Sequence, residues 1–212
     1  LKTCKQHLII FTRYPEPGRT KTRLIPALGE VGAANLHQQM TEYTVSQAQE
    51  LVKIARISVE VRFTGGNLQK MQHWLGNDLE YQTQEEGDLG VRMERSLNHA
   101  FKQKAEQVII IGTDCPDFSL QILATAFEQL KTFNLVLGPA LDGGYYLIGL
   151  QQPQPELFKN IHWGTDQVLI ETLKIAKSRD LSIYSLPLLA DIDRPEDLKT
   201  IGLLFDFSNT ST

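Results

Sequence analysis

Short apolar runs separated by longer amphipathic stretches recur along this chain, and that alternation constrains its fold more than any single motif does. Runs rich in Val, Ile and Leu occupy residues 7–12, 57–63, 108–112, 135–138, 145–150 and 182–186. Several, such as HLIIFT and QVIIIG, are nearly continuous, as strands buried on both faces read. The stretches over 31–53, 68–75, 90–104, 120–133 and 166–178 have helical length, and Ser119 and Thr165 stand where caps for the last two belong. A further helix is expected from Pro195, with Asp193 or Arg194 near its cap and Glu196 and Asp197 in the first turn, where the helix dipole favours acids. Strand and helix in alternation give an α/β domain whose mostly parallel sheet is covered by helices. One place departs from this. The runs at 135–138 and 145–150 meet across Asp142-Gly143-Gly144 without a helix, so that part of the sheet is expected to be mixed, or a small hairpin.

No apolar run approaches the roughly 20 residues that cross a bilayer. The first run leads into charged residues without a small-residue cleavage site, which reads as a first strand in a protein that stays in the cytosol. Over 212 residues there is no repeat, low-complexity tract or flexible linker, so one domain over 1–207 is expected, with a tail at 208–212 that frays. Cys4 and Cys115 are too few for a disulfide framework and lack metal-ligand spacing. Both are expected as reduced thiols, with Cys115 inert beside the carboxylate of Asp114, which raises a thiol pKa. The histidines include no i, i+4 pair of the kind that binds zinc. A net charge of -4 argues against a nucleic-acid partner, which needs a broad basic face.

Against that acidic background, residues 13–23 hold Arg13, Arg19, Lys21 and Arg23 with Glu16 as the only acid. Pro15 and Pro17 fix the backbone, Gly18 allows a close approach or a positive φ, and Arg19, Lys21 and Arg23 alternate as they would if one ligand faced them all. Arginine forks and a lysine point charge suit phosphate oxygens. By charge alone, a solvated surface loop paired with acidic neighbours fits as well. A second constellation is IIIGTDCPDFS, where Thr113 and Asp114 end a buried strand. Open α/β sheets place ligands there, and a carboxylate in that position can hold Mg²⁺ or Mn²⁺ against phosphates. Asp142, Gly143, Gly144 and Tyr145 form a third, with an Asp-Gly hairpin as its plain structural reading. Asp191 and Asp193, alternating ahead of Pro195, could complete a metal site with Asp114. Gly87-Asp88-Leu89-Gly90 precedes a helix and offers backbone groups to a nucleobase edge, and Trp163 could line an acceptor pocket or belong to the core.

In order, FTRYPEPGRTKTRL, GDLGVRM, IGTDCP, GPALDGGYYLIGL and DIDRPEDL resemble the successive motifs of the bacterial DUF2064 group, glycosyltransferase candidates with the nucleotide-diphospho-sugar transferase (GT-A-like, Rossmann-like) fold. More distantly, the pattern is similar to phospholactate guanylyltransferase and the molybdenum-cofactor nucleotidyltransferases. The resemblance implies a three-layer α/β/α domain with nucleotide over the first half of the sheet and acceptor over the second. It implies nucleotide and phosphate contacts from Thr12, Arg13, Gly18, Arg19, Lys21 and Arg23, with Thr113 beside them and Asp88, Leu89 and Gly90 by the base. Asp114, Lys21 and Asp142 become the candidate catalytic residues. Asp114 with Asp191 or Asp193 becomes the metal set for Mg²⁺ or Mn²⁺, and Gly143, Gly144, Tyr145 and Trp163 fall on the acceptor side. Two departures stand out: a single Asp where many glycosyltransferases have D-x-D, and a basic loop unlike the G-x-G-x-R…P-K of sugar nucleotidyltransferases.

The implied reaction is metal-dependent transfer from a nucleotide-activated donor, foremost glycosyl transfer from a nucleotide sugar to a small-molecule acceptor. Nucleotidyl transfer from a nucleoside triphosphate to a phosphorylated acceptor is the alternative, since three alternating cations suit a triphosphate. A non-catalytic nucleotide-binding protein is the third reading.

Overall fold

The protein is described by a computed structural model over residues 5–200; Cys4, the end of the expected domain and the tail at 208–212 lie outside the described residues. Seven strands form one sheet: β1 (Gln6–Arg13), β2 (Ile57–Thr64), β3 (Glu80–Thr83), β4 (Gln107–Ile111), β5 (Leu135–Pro139), β6 (Tyr145–Leu150) and β7 (Ile183–Ser185). Their order is β3-β2-β1-β4-β6-β5-β7. Only β6 runs antiparallel to its neighbours, β4 and β5, and it follows β5 through the expected turn at Asp142-Gly143-Gly144. Every other pairing is parallel. The sheet is thus mostly parallel and mixed at one place.

Among the described residues, five α-helices cover it: α1 (Ile25–Ile54), α2 (Leu68–Leu75), α3 (Leu89–Lys102), α4 (Leu120–Gln129) and α5 (Val168–Ser178). One face buries Leu8, Ile10, Val61 and Ile109 against Val45, Ala48 and Leu51 of α1 and Leu123 and Phe127 of α4. The opposite face buries Ile9, Val108, Ile110 and Ile148 against Met93 and Leu97 of α3 and Ala176 of α5. Side chains that alternate along β1 and β4 supply both cores, which is why those runs carry no polar face. The result is a three-layer α/β/α domain.

Several local expectations need correction. Strand β3 had no apolar signal because it is an edge strand whose residues are exposed or half-buried. Helix α1 starts earlier than expected, but its first turn is split off at Gly29 (φ 70°), so the main helix begins near residue 31 after all. Ser119 caps α4, accepting from the Ile122 N–H. Thr165 does not cap α5, which begins at Val168; its hydroxyl donates to the His162 carbonyl and accepts from the Gln167 N–H, closing a turn before the helix. Pro195–Thr200 is a short 3-10 helix, held where the Asp197 carboxylate accepts the N–H groups of Asp193 and Arg194.

Two further features position the site. Leu24, Ala33, Leu36, Met40 and Ile192 form a small separate core that pins the end of the basic loop and α1 to the segment after β7. Beneath α3, the alternate face of β2 carries charge: Glu60 accepts from Arg62, Arg62 also donates to Ser96 Oγ at 3.0 Å, and His7 Nε2 lies 3.1 Å from Glu60. All three are almost fully buried. Burial alone would raise the Glu60 pKa, but its hydrogen bonds and charge pairing with His7 and Arg62 overcome that and hold it below the ordinary range.

Candidate active site

The sheet order reverses between β1 and β4, and a cleft of about 690 Å³ opens over their carboxyl ends, the position where open α/β sheets place ligands. Most of the candidate residues meet there. Thr12, Arg13, Arg19, Lys21, Arg23 and Thr113 line it, as do Asp114, Asp142, Asp191 and Asp193. Leu89, Gly144, Tyr145 and Trp163 complete the set that the sequence had singled out.

The basic loop reaches the cleft in a different way from the alternation first expected. Residues 17–21 form turns and Thr22–Leu24 a 3-10 helix, and Lys21 adopts a left-handed backbone (φ 50°) at its start. The curl aims Lys21 inward. Its side chain is only 4% exposed, and its ammonium lies 2.7 Å from Asp114 Oδ1 while also donating to the Ile192 carbonyl. Asp193 Oδ1 stands 3.9 Å from the same ammonium and its other oxygen accepts from Arg23. Arg19 pairs loosely with Glu16 at 3.6 Å, both exposed. Loss of hydration would raise the Asp114 pKa, but the Lys21 charge and hydrogen bond, with His37 nearby, hold it below the ordinary carboxylate range. Asp114 is therefore a carboxylate with one oxygen committed and half its side chain open to the cleft.

On the far side, Asp142 Oδ1 accepts the Gly144 N–H at 2.8 Å, fixing the β5–β6 turn. Burial and then the charge of Asp142 raise the Asp191 pKa, so these two carboxylates feel each other across the cleft. The Cys115 thiol is pushed far up by burial and by the charges of Asp114, Asp191 and Asp142, which fits the inert side chain expected. Among the described residues, no three His, Cys, Asp or Glu side chains yet stand close enough to form a ready-made metal cluster. The expected set of Asp114 with Asp191 and Asp193 is thus not preassembled, because Asp193 is engaged by Arg23 and Lys21. Asp114, Asp142 and Asp191 are likewise not clustered, but as carboxylates they have the hard-oxygen chemistry that Mg²⁺ or Mn²⁺ takes.

Four candidates, Gly18, Asp88, Gly90 and Gly143, are not among the residues that line the cleft. Gly18 has a positive φ (76°) and lies beside the Glu30 carboxylate. Asp88 caps α3 by accepting from the Val91 N–H at 2.9 Å. Gly90 lets α3 approach the Trp163 indole so closely that a Cβ would come within 2.5 Å of Nε1. Gly143 (φ 87°) passes the Asp166 backbone, where a Cβ would lie 2.4 Å from the carbonyl oxygen.

The sequence reading missed the polar floor. His37 Nε2 meets the Arg13 carbonyl at 2.9 Å, an N–H donating to it, and packs with the hydroxyls of Thr12, Thr41 and Thr113. This cluster joins the ends of β1 and β4 to α1 just where Arg13 and Asp114 leave the sheet. Burial lowers the His37 pKa, against the opposing pull of Asp114 and of the hydrogen bond to the Arg13 carbonyl. Gln84 Nε2 donates to the Thr12 and Arg62 carbonyls, and its Oε1 accepts from Arg92 at 2.7 Å. The signal for His37 and Thr41 was their i, i+4 spacing on the buried face of α1; nothing in the sequence marks Gln84.

This fold, with its ligand cleft at a topological switch point, is that of the nucleotide-diphospho-sugar transferases. Residues 47–165 match the family described as "Uncharacterized protein conserved in bacteria (DUF2064)", and the chain belongs to that family. It is similar to the crystal structure of a candidate nucleotide-diphospho-sugar transferase from Desulfovibrio desulfuricans G20, at 30% identity and a TM-score of 0.84, covering 92% of this chain and 85% of that one. The inositol-1-phosphate CTP transferase of T. maritima shares the fold at 14% identity, TM-score 0.56, with 93% of each chain covered. So does Rv0371c of Mycobacterium tuberculosis H37Rv, solved in complex with manganese, at 14% identity, TM-score 0.54, covering 92% of this chain and 97% of that one. No curated protein matches the sequence. No helix among the described residues is long and apolar enough to cross a membrane.

Proposed function

We propose that the protein is a nucleotide-using transferase that moves a glycosyl group from a nucleotide-diphospho-sugar to a small-molecule acceptor, with a divalent ion, Mg²⁺ or Mn²⁺, at Asp114. The observation that carries this reading is how the four cleft cations are spent. Lys21 is bound to Asp114 and the Ile192 carbonyl, and Arg23 to Asp193, whereas Arg13 and the loosely held Arg19 are exposed at the rim. Two available guanidinium groups match a diphosphate better than a triphosphate. The similarity to the D. desulfuricans protein points the same way.

In the reaction, the bond between the anomeric carbon and the outer phosphate oxygen breaks and its electron pair leaves with the nucleoside diphosphate. The acceptor hydroxyl forms the new bond to that carbon, and its proton passes to the carboxylate of Asp142. Arg13 and Arg19 hold the diphosphate as charge builds on it, and Lys21 keeps Asp114 ionised and aimed. Asp114, with Asp142 or Asp191, would hold a divalent ion, which would supply positive charge to offset the negative charge developing on the diphosphate. The Thr12, His37, Thr41 and Thr113 cluster keeps the phosphate-binding and acidic strand ends at a fixed separation.

Nucleotidyl transfer is the second reading, favoured by the fold shared with the T. maritima CTP transferase. A thermal-shift panel separates the two, because a ligand that binds only the folded chain raises its melting point. Nucleoside diphosphates and nucleotide sugars with Mg²⁺ or Mn²⁺ are expected to stabilise the protein more than the matching triphosphates do. Stabilisation by triphosphates alone would favour nucleotidyl transfer, and no response to any nucleotide would favour a non-catalytic role.

A further inference from the structure

Charge in the cleft is sorted by position in the chain. All of its Lys and Arg side chains come from residues 13–23, on the β1 side. From Gln84 to Asp193, the lining contains Asp114, Asp142, Asp191 and Asp193 and not one Lys, Arg or His. Asp193 is compensated by Arg23 and Asp114 by Lys21, whereas among the described residues neither Asp142, which accepts the Gly144 N–H, nor Asp191 has a salt-bridge partner. Tyr145, which follows the Asp142 turn, and Trp163 line the same cleft, their rings edge-to-face with centroids 6.4 Å apart, and Gly90 lets α3 pack against the indole.

We infer that the acceptor is an uncharged, hydroxyl-rich molecule with an apolar ring face, such as a glycoside or cyclic polyol, and that phosphorylated and carboxylated acceptors are excluded. The inference rests on the donor lying over the basic half of the cleft. A phosphate monoester placed against Asp142 and Asp191 would meet like charge, and the cations that reach that side are already spent, Lys21 on Asp114 and the Ile192 carbonyl and Arg23 on Asp193. One divalent ion shared with Asp114 would not reverse the sign, since three carboxylates face it. Hydroxyl groups, by contrast, donate to carboxylates, and the C–H face of a pyranose or cyclitol packs on an indole. The acceptor side thus departs from the fold relative named for inositol-1-phosphate, whose acceptor is a phosphate ester.

Trp163 supplies the readout. In a Trp74→Phe variant, which leaves Trp163 as the only tryptophan, indole fluorescence is titrated with methyl glucoside, myo-inositol, glucose 6-phosphate and inositol 1-phosphate. Each titration is run with and without saturating nucleoside diphosphate and Mg²⁺. The neutral members are expected to perturb the emission at least tenfold more tightly than their phosphate esters. Asp142→Asn, which keeps an oxygen for the Gly144 N–H, should narrow that gap severalfold. Tighter binding of the esters than of their parents, or no response to a neutral member in either condition, would overturn the inference. If the neutral members bind but no nucleotide does, the acceptor assignment stands and the proposed donor falls.

Discussion

At Lys21 a left-handed turn delivers a nearly buried ammonium to Asp114, Asp193 and the Ile192 carbonyl at once. Removing it deletes a charge-assisted hydrogen bond and leaves Asp114 without its principal counter-charge. Because Lys21 is spent on Asp114 and the Ile192 carbonyl, Lys21→Ala is expected to act through Asp114, misplacing it and weakening metal-dependent nucleoside diphosphate binding severalfold. Isothermal titration at pH 7 measures this, and an unchanged affinity would reduce Lys21 to a packing role. Asp114→Asn should act differently. The amide still accepts from Lys21 but no longer balances its charge, so the melting point should fall modestly, while any dependence of nucleotide binding on Mg²⁺ or Mn²⁺ should disappear. The sign with pH follows from the same contact: because the Asp114 pKa is depressed, its charge persists as pH falls below the ordinary aspartate range, and Lys21→Ala should move the loss of metal-dependent binding to higher pH.

The loop that carries these cations depends on an element of packing far less visible than its charges. Leu24 and Ile192, both fully buried, join the end of the loop and the main helix of α1 to the acidic segment after β7. Leu24→Ala should cost about 3 kcal/mol, within the span for buried leucines, and should also weaken diphosphate binding at temperatures where the chain stays folded. Denaturant unfolding and titration of the same variant test both; a stability loss with unchanged affinity would mean that the loop holds its shape without this core. Contacts of this kind explain which parts were legible from the sequence. The buried strands declared themselves because HLIIFT and VIII have no polar face, and the turn at Asp142-Gly143-Gly144 because a hairpin needs such residues. Strand β3 and Gln84 did not, since an edge strand is polar and an amide gains its role only from neighbours distant in sequence. For Arg19, Lys21 and Arg23 the right destination was inferred from the wrong geometry. Their alternation suggested an extended segment, whereas a turn and a 3-10 helix bring them to the same cleft.

At the scale of the molecule, the strand beside β1 carries buried charge of its own. Glu60 and Arg62 on β2 and His7 on β1 form a buried network under α3, one strand away from the floor of the cleft. Arg62 continues it through its carbonyl to Gln84, and Gln84 grips the end of β1 at Thr12. Removing one partner from such a network is costly because it strands the others' charge, on the order of 3–5 kcal/mol. Glu60→Gln should therefore lower stability by about 3 kcal/mol at pH 7 and loosen the β1 end as well. The pH dependence follows from linkage. The folded-state pKa of Glu60 is depressed, so its contribution is fully present above the unfolded glutamate value of about 4.3 and is lost as pH falls through the lower folded value. The wild type should lose stability across that acidic window. The Gln variant lacks the titrating group, so the gap between the two should be widest at neutral pH and should close in acid. Urea unfolding of both chains at pH 7, 5 and 3.5 measures the gap; one that stays constant with pH would show that Arg62 and His7 find their compensation elsewhere.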